Sequence, residues 1–343
     1  MAAPVADKFG RKYSISGWCI IFHVGVIVQI ASSDKWYQIM MGRWVAGLAV
    51  GALSLLVPMY QAETAPRHIR GALISTYQLF ITLGIFVAAC INYGTEARAN
   101  SGAWRIPMGI GFLWALILGI GILFFPETPR YAYRRGRIEE AKRTMTKVYG
   151  VSNNHWAVHE ELGEIKAKLD AEGPPKPYFV DLFQMFYGRR MAYRIALGMA
   201  LQMMQQLTGA NYFFYYGTTI FQSVAISSFV TQMILNGINF GTTFYGLYII
   251  ERYGRRKSLI VGSTWMFICF LVFASVGHFA LDRNNPQATP KAGIAMICFA
   301  CFFIFGFATT CKHPTSPIPH RKNKKYPEVR IPSLTTETKK GAP

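Results

Sequence analysis

Charge is scarce in this sequence, and acid is scarcer than base: only 15% of residues are charged, with 17 Asp and Glu against 36 Lys and Arg. Soluble domains carry about 25% charged residues, so a chain that is also 52% hydrophobic lacks the polar surface to cover a soluble core. Its apolar blocks of roughly 20 residues have the length that crosses a bilayer, which makes lipid their solvent. No cleavable signal peptide is legible, because the opening residues reach the charged run DKFGRK at 7 to 12 before any long apolar stretch. Metal-ligand spacing such as a CxxC paired with a second CxxC is missing as well: Cys19, Cys90, Cys269, Cys298 and Cys301 fall inside apolar blocks and read as small core residues. No nucleophile, phosphate loop or metal cluster stands out, so the sequence indicates neither an enzyme nor a cofactor nor a metal site. The formal charge of +19 raises nucleic acid as a partner, but the bases sit in short clusters between apolar blocks and form no continuous face, which speaks against one.

What is present is a series of spans, near 13 to 32, 39 to 60, 73 to 93, 104 to 125, 194 to 217, 228 to 250, 258 to 280 and 292 to 310. In lipid each must satisfy its own backbone, so about eight transmembrane helices are expected. Lys8, Arg11 and Lys12 precede the first span, Arg67 and Arg70 follow the second, and Arg252, Arg255, Arg256 and Lys257 follow the sixth. These basic loops are cytoplasmic by the positive-inside tendency, and the even number of crossings between them agrees. Residues 127 to 193 hold charge-rich pieces with helical periodicity, RIEEAKRTMTKVYG and HEELGEIKAKL, and are expected as short amphipathic helices under the bundle rather than an unstructured basic linker. From Cys311 the chain turns proline-rich, basic and polar, the composition of a disordered tail. The expected organisation is an N-terminal helix bundle over 1–126, a cytoplasmic helical linker over 127–193, a partial C-terminal bundle over 194–310 and the tail over 311–343.

DKFGRK at 7 to 12 and ERYGRRK at 251 to 257 are one pattern of acid, spacer, glycine, arginine and base. Two copies at equivalent cytoplasmic turns are the mark of an internal parallel repeat. Inside the spans the informative residues are amides. Gln205, Gln206 and Asn211 are read on one helix with a stripe toward the bundle interior, Gln78 falls on the third span and Asn239 on the sixth. An amide both donates and accepts without a charge to desolvate, so such groups can replace water around a polyol. Any one amide alone reads first as an interhelical hydrogen bond; Asn236 is left as structural or unassigned, and His23 and His278 show no partner pattern.

The paired motifs, with GRWVAG at 42 to 47, PMYQAETAPRHIRG at 58 to 71, PETPR at 126 to 130 and QQLTGANYFFYY at 205 to 216, resemble the sugar porters of the major facilitator superfamily, fungal hexose transporters in particular. The resemblance covers most of residues 1 to 310. It implies an all-α membrane protein of the major facilitator fold, here partial, with the spans matching family helices three to ten and both ends missing. It implies sugar contact by Gln78, Gln205, Gln206, Asn211, Phe214 and Asn239, and an outer gate at Tyr215 and Tyr216. It implies a cytoplasmic gate in which Arg11, Glu63, Arg70, Glu127, Arg130, Glu251, Arg255 and Arg256 form one charged network that breaks and re-forms as two halves rock. By this resemblance the protein is a multi-pass hexose transporter of the plasma membrane working by alternating access, with a sugar and the bilayer as partners. A sugar sensor of the same fold is the alternative. Proton coupling stays open, because Arg43 would need an acidic partner on a helix that is absent here. Since alternating access needs two complete bundles, the chain is also expected to be a non-functional fragment.

Overall fold

The computed structural model describes residues 2–33, 35–66, 69–152, 155–172, 191–214, 228–253, 255–280 and 290–310. Tyr215, Tyr216 and the 311–343 tail lie outside the described residues, as do the side chains of Glu251 and Arg255. Every regular element among the described residues is a helix: α1 (Ala2–Phe9), α2 (Arg11–Ile30), α3 (Trp36–Thr64), α4 (Arg70–Glu96), α5 (Gly102–Phe124), α6 (Pro129–Arg134), α7 (Ile138–Tyr149), α8 (Trp156–Glu172), α9 (Met191–Leu207), α10 (Ser228–Tyr253), α11 (Arg255–Phe279) and α12 (Pro290–Thr310).

Six of these helices are long and apolar enough to cross a membrane by length and composition, namely α2 to α5, α11 and α12. The remaining two expected spans differ for identifiable reasons. α10 has 26 residues but carries Thr231, Asn236, Asn239 and Thr243, all buried, which lowers its hydropathy while hiding its polar groups from lipid. α9 stops at Leu207 after 17 residues, because Gly209 adopts a φ of 79°, a left-handed conformation that ends a helix and that glycine adopts without steric cost. Residues 210–214 are helical again. Large apolar side chains are correspondingly turned outward: Phe124 is 81% exposed and Phe279 85%, as expected where hydrocarbon replaces water.

α2 packs on α3 and α5, α11 on α12, and α10 on both α4 and α12. Between α2 and α3 the backbones nearly touch: a Cβ added to Gly25 would lie 2.6 Å from the Ala46 nitrogen and 2.8 Å from the Gly42 oxygen. Small residues permit such an approach, and in lipid close van der Waals packing takes over the role that the hydrophobic effect has in water. His23 adds a tie between α2 and α5, with Nδ1 2.6 Å from the Cys19 oxygen and Nε2 3.1 Å from the Phe112 oxygen. In the second half Phe213, fully buried, sits among Phe270, Phe273 and Phe303 at centroid distances of 6.0, 4.9 and 5.0 Å. α4 and α10 meet through Phe86 stacked on Phe240, 6.0 Å apart.

Among its described residues, the linker region holds three short helices, α6, α7 and α8. α7 begins with Glu139 and Glu140, ends on Lys147 and is closed by Gly150 at φ 65°, so charge and cap both match its macrodipole. It buries Ala141, Thr144 and Met145 on one side, and α8 packs on α6 and α7.

Candidate functional site

A cavity of about 430 Å³ opens where α4, α9, α10 and α12 converge. α4 contributes Gln78 and Ile85, one face two turns apart. α9 ends in Gln205 and Gln206, and the stretch after the break supplies Ala210, Asn211 and Phe214. α10 adds Gln232, Asn236 and Asn239 at i, i+4, i+7 spacing, and α12 adds Phe307. The six residues picked out for sugar contact, Gln78, Gln205, Gln206, Asn211, Phe214 and Asn239, therefore line a single cavity.

The route by which they meet differs from the sequence reading in one respect. Gln205 and Gln206 do not share a continuous helix with Asn211, because the chain breaks at Thr208 and Gly209 between them. The break is tightly tied: the Thr208 hydroxyl donates to the Gln205 oxygen at 2.6 Å, and Tyr212 N donates to the Gly209 oxygen at 3.0 Å. Irregular backbone at membrane depth is tolerated where it lines a cavity. Across the break Asn211 Nδ2 donates to Gln206 Oε1 at 2.6 Å, which fixes one amide and leaves the Asn211 oxygen as an acceptor. Asn239 is 1% exposed, and its backbone oxygen accepts from the hydroxyls of Thr242 and Thr243.

Among the described residues, no charged side chain lines this cavity. Its lining combines neutral donors and acceptors with the rings of Phe214 and Phe307, a combination that suits hydroxyls together with apolar C–H faces. Sequence reasoning missed Gln232 and Ile85, and set Asn236 aside. The signal was the i, i+4, i+7 register of Gln232 and Asn236 with Asn239, which places all three on one face of α10.

A second charged site lies at the Gly10 end of α2. The Glu127 carboxylate, buried, accepts from the backbone nitrogens of Arg11 at 3.1 Å, Lys12 at 3.2 Å and Thr128 at 2.9 Å. It thus caps α2, whose N-cap Gly10 has no side chain to do so. Gly10 stands at φ 92° and in contact with that carboxylate, which requires both the conformation and the absent Cβ. Arg11, with its side chain 3% exposed, pairs with Glu63 at 3.1 and 3.2 Å and with Asp7 at 3.3 Å.

Other members of the expected charged set lie close by. Arg70 pairs with Glu161 of α8 at 3.2 Å, and Glu161 also accepts from the Tyr149 hydroxyl. Glu63, Arg70, Arg130, Glu161, Glu164 and Lys168 line a small cleft together, so Glu63 belongs both to this cleft and to the Arg11 pair. Arg256 is exposed at the start of α11, and Arg43 is exposed on α3. The contact of α8 with Arg70 was not legible, because a carboxylate on a charge-rich helix looks like any solvated face.

The architecture is matched by solved structures of the E. coli xylose transporter XylE in a partially occluded inward-open state, with a TM-score of 0.71 at 22% identity over 91% of this chain and 68% of that one. A proton:xylose symporter bound to 6-bromo-6-deoxy-D-glucose matches with a TM-score of 0.72 at 24% identity, covering 90% of this chain and 65% of that one. Fold and amide-lined cavity together define a multi-pass helical membrane protein of the major facilitator fold. The chain belongs to the sugar (and other) transporter family, whose model matches residues 1–314. It is 44% identical over 313 residues to a high-affinity fructose transporter of Schizosaccharomyces pombe, covering 90% of this chain and 58% of that protein. It is 46% identical over 314 residues to hexose transporter 2 of Kluyveromyces lactis, covering 90% and 55%, and 44% identical over 335 residues to a low-affinity glucose transporter of Saccharomyces cerevisiae, covering 96% and 57%. The chain thus spans little more than half the length of the curated relatives it matches.

Proposed function

We propose that this chain carries the substrate-facing core of a hexose transporter of the plasma membrane, in which a neutral sugar binds in the amide-lined cavity and crosses as two helix bundles, 1–126 and 194–310, rock about it. The observation that carries this reading is the convergence of Gln78, Gln205, Gln206, Asn211 and Asn239 on one uncharged cavity. Each hexose hydroxyl is both donor and acceptor, and amides can meet it without desolvating a charge. The cavity volume of about 430 Å³ lies within the roughly 300–1,000 Å³ range of small-molecule sites. The buried pair of Arg11 and Glu63, the Glu127 cap on α2 and the Arg70 to Glu161 pair act in this reading as the cytoplasmic gate, which parts when the carrier faces inward. Helices α6, α7 and α8 form the strap of that gate.

The test is uptake of labelled glucose in yeast cells without hexose carriers of their own. Two proteins are compared: this chain, and a chimera in which it replaces the matching segment of the Kluyveromyces lactis hexose transporter. Uptake abolished by Gln205→Ala and by Asn239→Ala supports the carrier. Uptake by the chimera that neither substitution changes contradicts it, and sugar binding without uptake by either protein turns the reading toward a sugar receptor.

A further inference from the structure

Asn236 stands apart from the other amides. It is only 6% exposed, yet its Oδ1 has no hydrogen-bond partner among the described residues. Its Nδ2 approaches Gln232 Oε1 at 3.5 Å, the outer limit of a hydrogen bond. Gln232 is itself held, with Nε2 donating to the Phe214 oxygen at 2.9 Å. A buried amide oxygen left unpaired keeps its full desolvation penalty, which buried polar groups rarely carry without a reason.

Its position supplies the reason. A second cavity, of about 320 Å³, adjoins the first and is lined in part by Asn92 and Phe229. Ile85, Gln232 and Asn236 line both cavities, so Asn236 stands at the neck between them. Asn92 falls near the end of α4 remote from Arg70, and Phe229 near the start of α10. The neck is therefore on the side of the main cavity away from the basic turns.

We propose that Gln232 and Asn236 form a further subsite at this neck, in which Asn236 Oδ1 accepts a hydrogen bond from one hydroxyl of a neutral polyhydroxylated ligand while Gln232, anchored on the Phe214 carbonyl, holds the Asn236 amide in orientation. This rests on the sugar reading of the main cavity. The subsite is a determinant of selectivity: a ligand without that hydroxyl leaves the oxygen as unpaired as it is in the empty site, whereas the matching ligand satisfies it. Discrimination by a buried unpaired group is much sharper than discrimination by apolar fit.

The experiment is a double cycle on the full chain in lipid nanodiscs. Labelled glucose is displaced by glucose and by a panel of its monodeoxy derivatives, for the native chain, Asn236→Leu and Asn239→Ala. The expected result is that Asn236→Leu weakens glucose about tenfold, the equivalent of one hydrogen bond of about 1.4 kcal/mol. The same substitution leaves one deoxy derivative unchanged, because that derivative already lacks the bond. Equal weakening of every sugar, or no weakening of any, overturns the assignment and makes Asn236 a structural amide. Asn239→Ala separates the two readings: if it weakens the whole panel while Asn236→Leu shows no selectivity, only the neck subsite fails. A native chain that binds none of these sugars overturns the sugar reading and this subsite with it.

Discussion

Replacing Glu127 probes how the buried charge at the base of the bundle holds α2 in place. Its carboxylate accepts from three backbone nitrogens, those of Arg11, Lys12 and Thr128, within 2.9 to 3.2 Å. Two of these are first-turn donors of α2 that no other group caps. Alanine removes a capping interaction of about 1–2 kcal/mol and an anion at a partly buried helix N-terminus of up to about 2 kcal/mol. The two overlap, and a loss of about 3 kcal/mol is expected. Glutamine keeps one acceptor oxygen but loses the charge, for a loss of about 1–1.5 kcal/mol. Thermal unfolding of the purified chain in detergent, followed by intrinsic fluorescence, reads this as a midpoint lowered by roughly 5 °C for Glu127→Ala and by about half that for Glu127→Gln. A Glu127→Ala midpoint within a degree of the native one would refute the claim that the carboxylate holds α2.

Arg70→Glu should open the contact with α8, since Arg70 pairs with Glu161 at 3.2 Å; limited proteolysis of the 138–172 region should accelerate, and adding Glu161→Arg should restore protection. Gly25→Ala is expected to destabilise by about 1–3 kcal/mol, because the new Cβ would lie 2.6 Å from the Ala46 nitrogen, whereas Gly47→Ala, with nothing within 4 Å, should be neutral or slightly stabilising; heating both variants in detergent tells them apart. Phe213→Ala removes a fully buried ring from between Phe273 and Phe303, and a loss of about 3–5 kcal/mol is expected, measured as surviving monomer on size-exclusion chromatography after a temperature series.

The spans were legible because hydropathy is summed over whole helices and bilayer thickness fixes their length. Expected and observed boundaries agree closely at α2, α3, α4, α5, α11 and α12. The cavity-lining amides were legible for a related reason, since a polar side chain in a membrane helix needs a cause, and motif and chemistry agreed on the same positions. What escaped was whatever depends on a local break or a distant partner. Gly209 ends α9 in mid-span, but glycine in an apolar run is common and its φ is set by tertiary context. Asn236 shares a face of α10 with Asn239, yet a lone amide is indistinguishable in sequence from an ordinary interhelical hydrogen bond. The pairing of Arg70 with Glu161 joins residues 91 positions apart, and His23 bridges carbonyls at Cys19 and Phe112; periodicity carries no information about either.

The central claim is that a hexose occupies the cavity beside Gln205, Gln206 and Asn239, and glucose protection of a cysteine placed in its wall tests it most directly. Ile85 lines the cavity and is 44% exposed, so Ile85→Cys, in a background with the native cysteines replaced, should react readily with a small methanethiosulfonate reagent. The account predicts that glucose slows this reaction in a saturable manner, and that adding Asn239→Ala abolishes the protection. A labelling rate unchanged at saturating glucose, or protection that persists undiminished with Asn239→Ala, would contradict it.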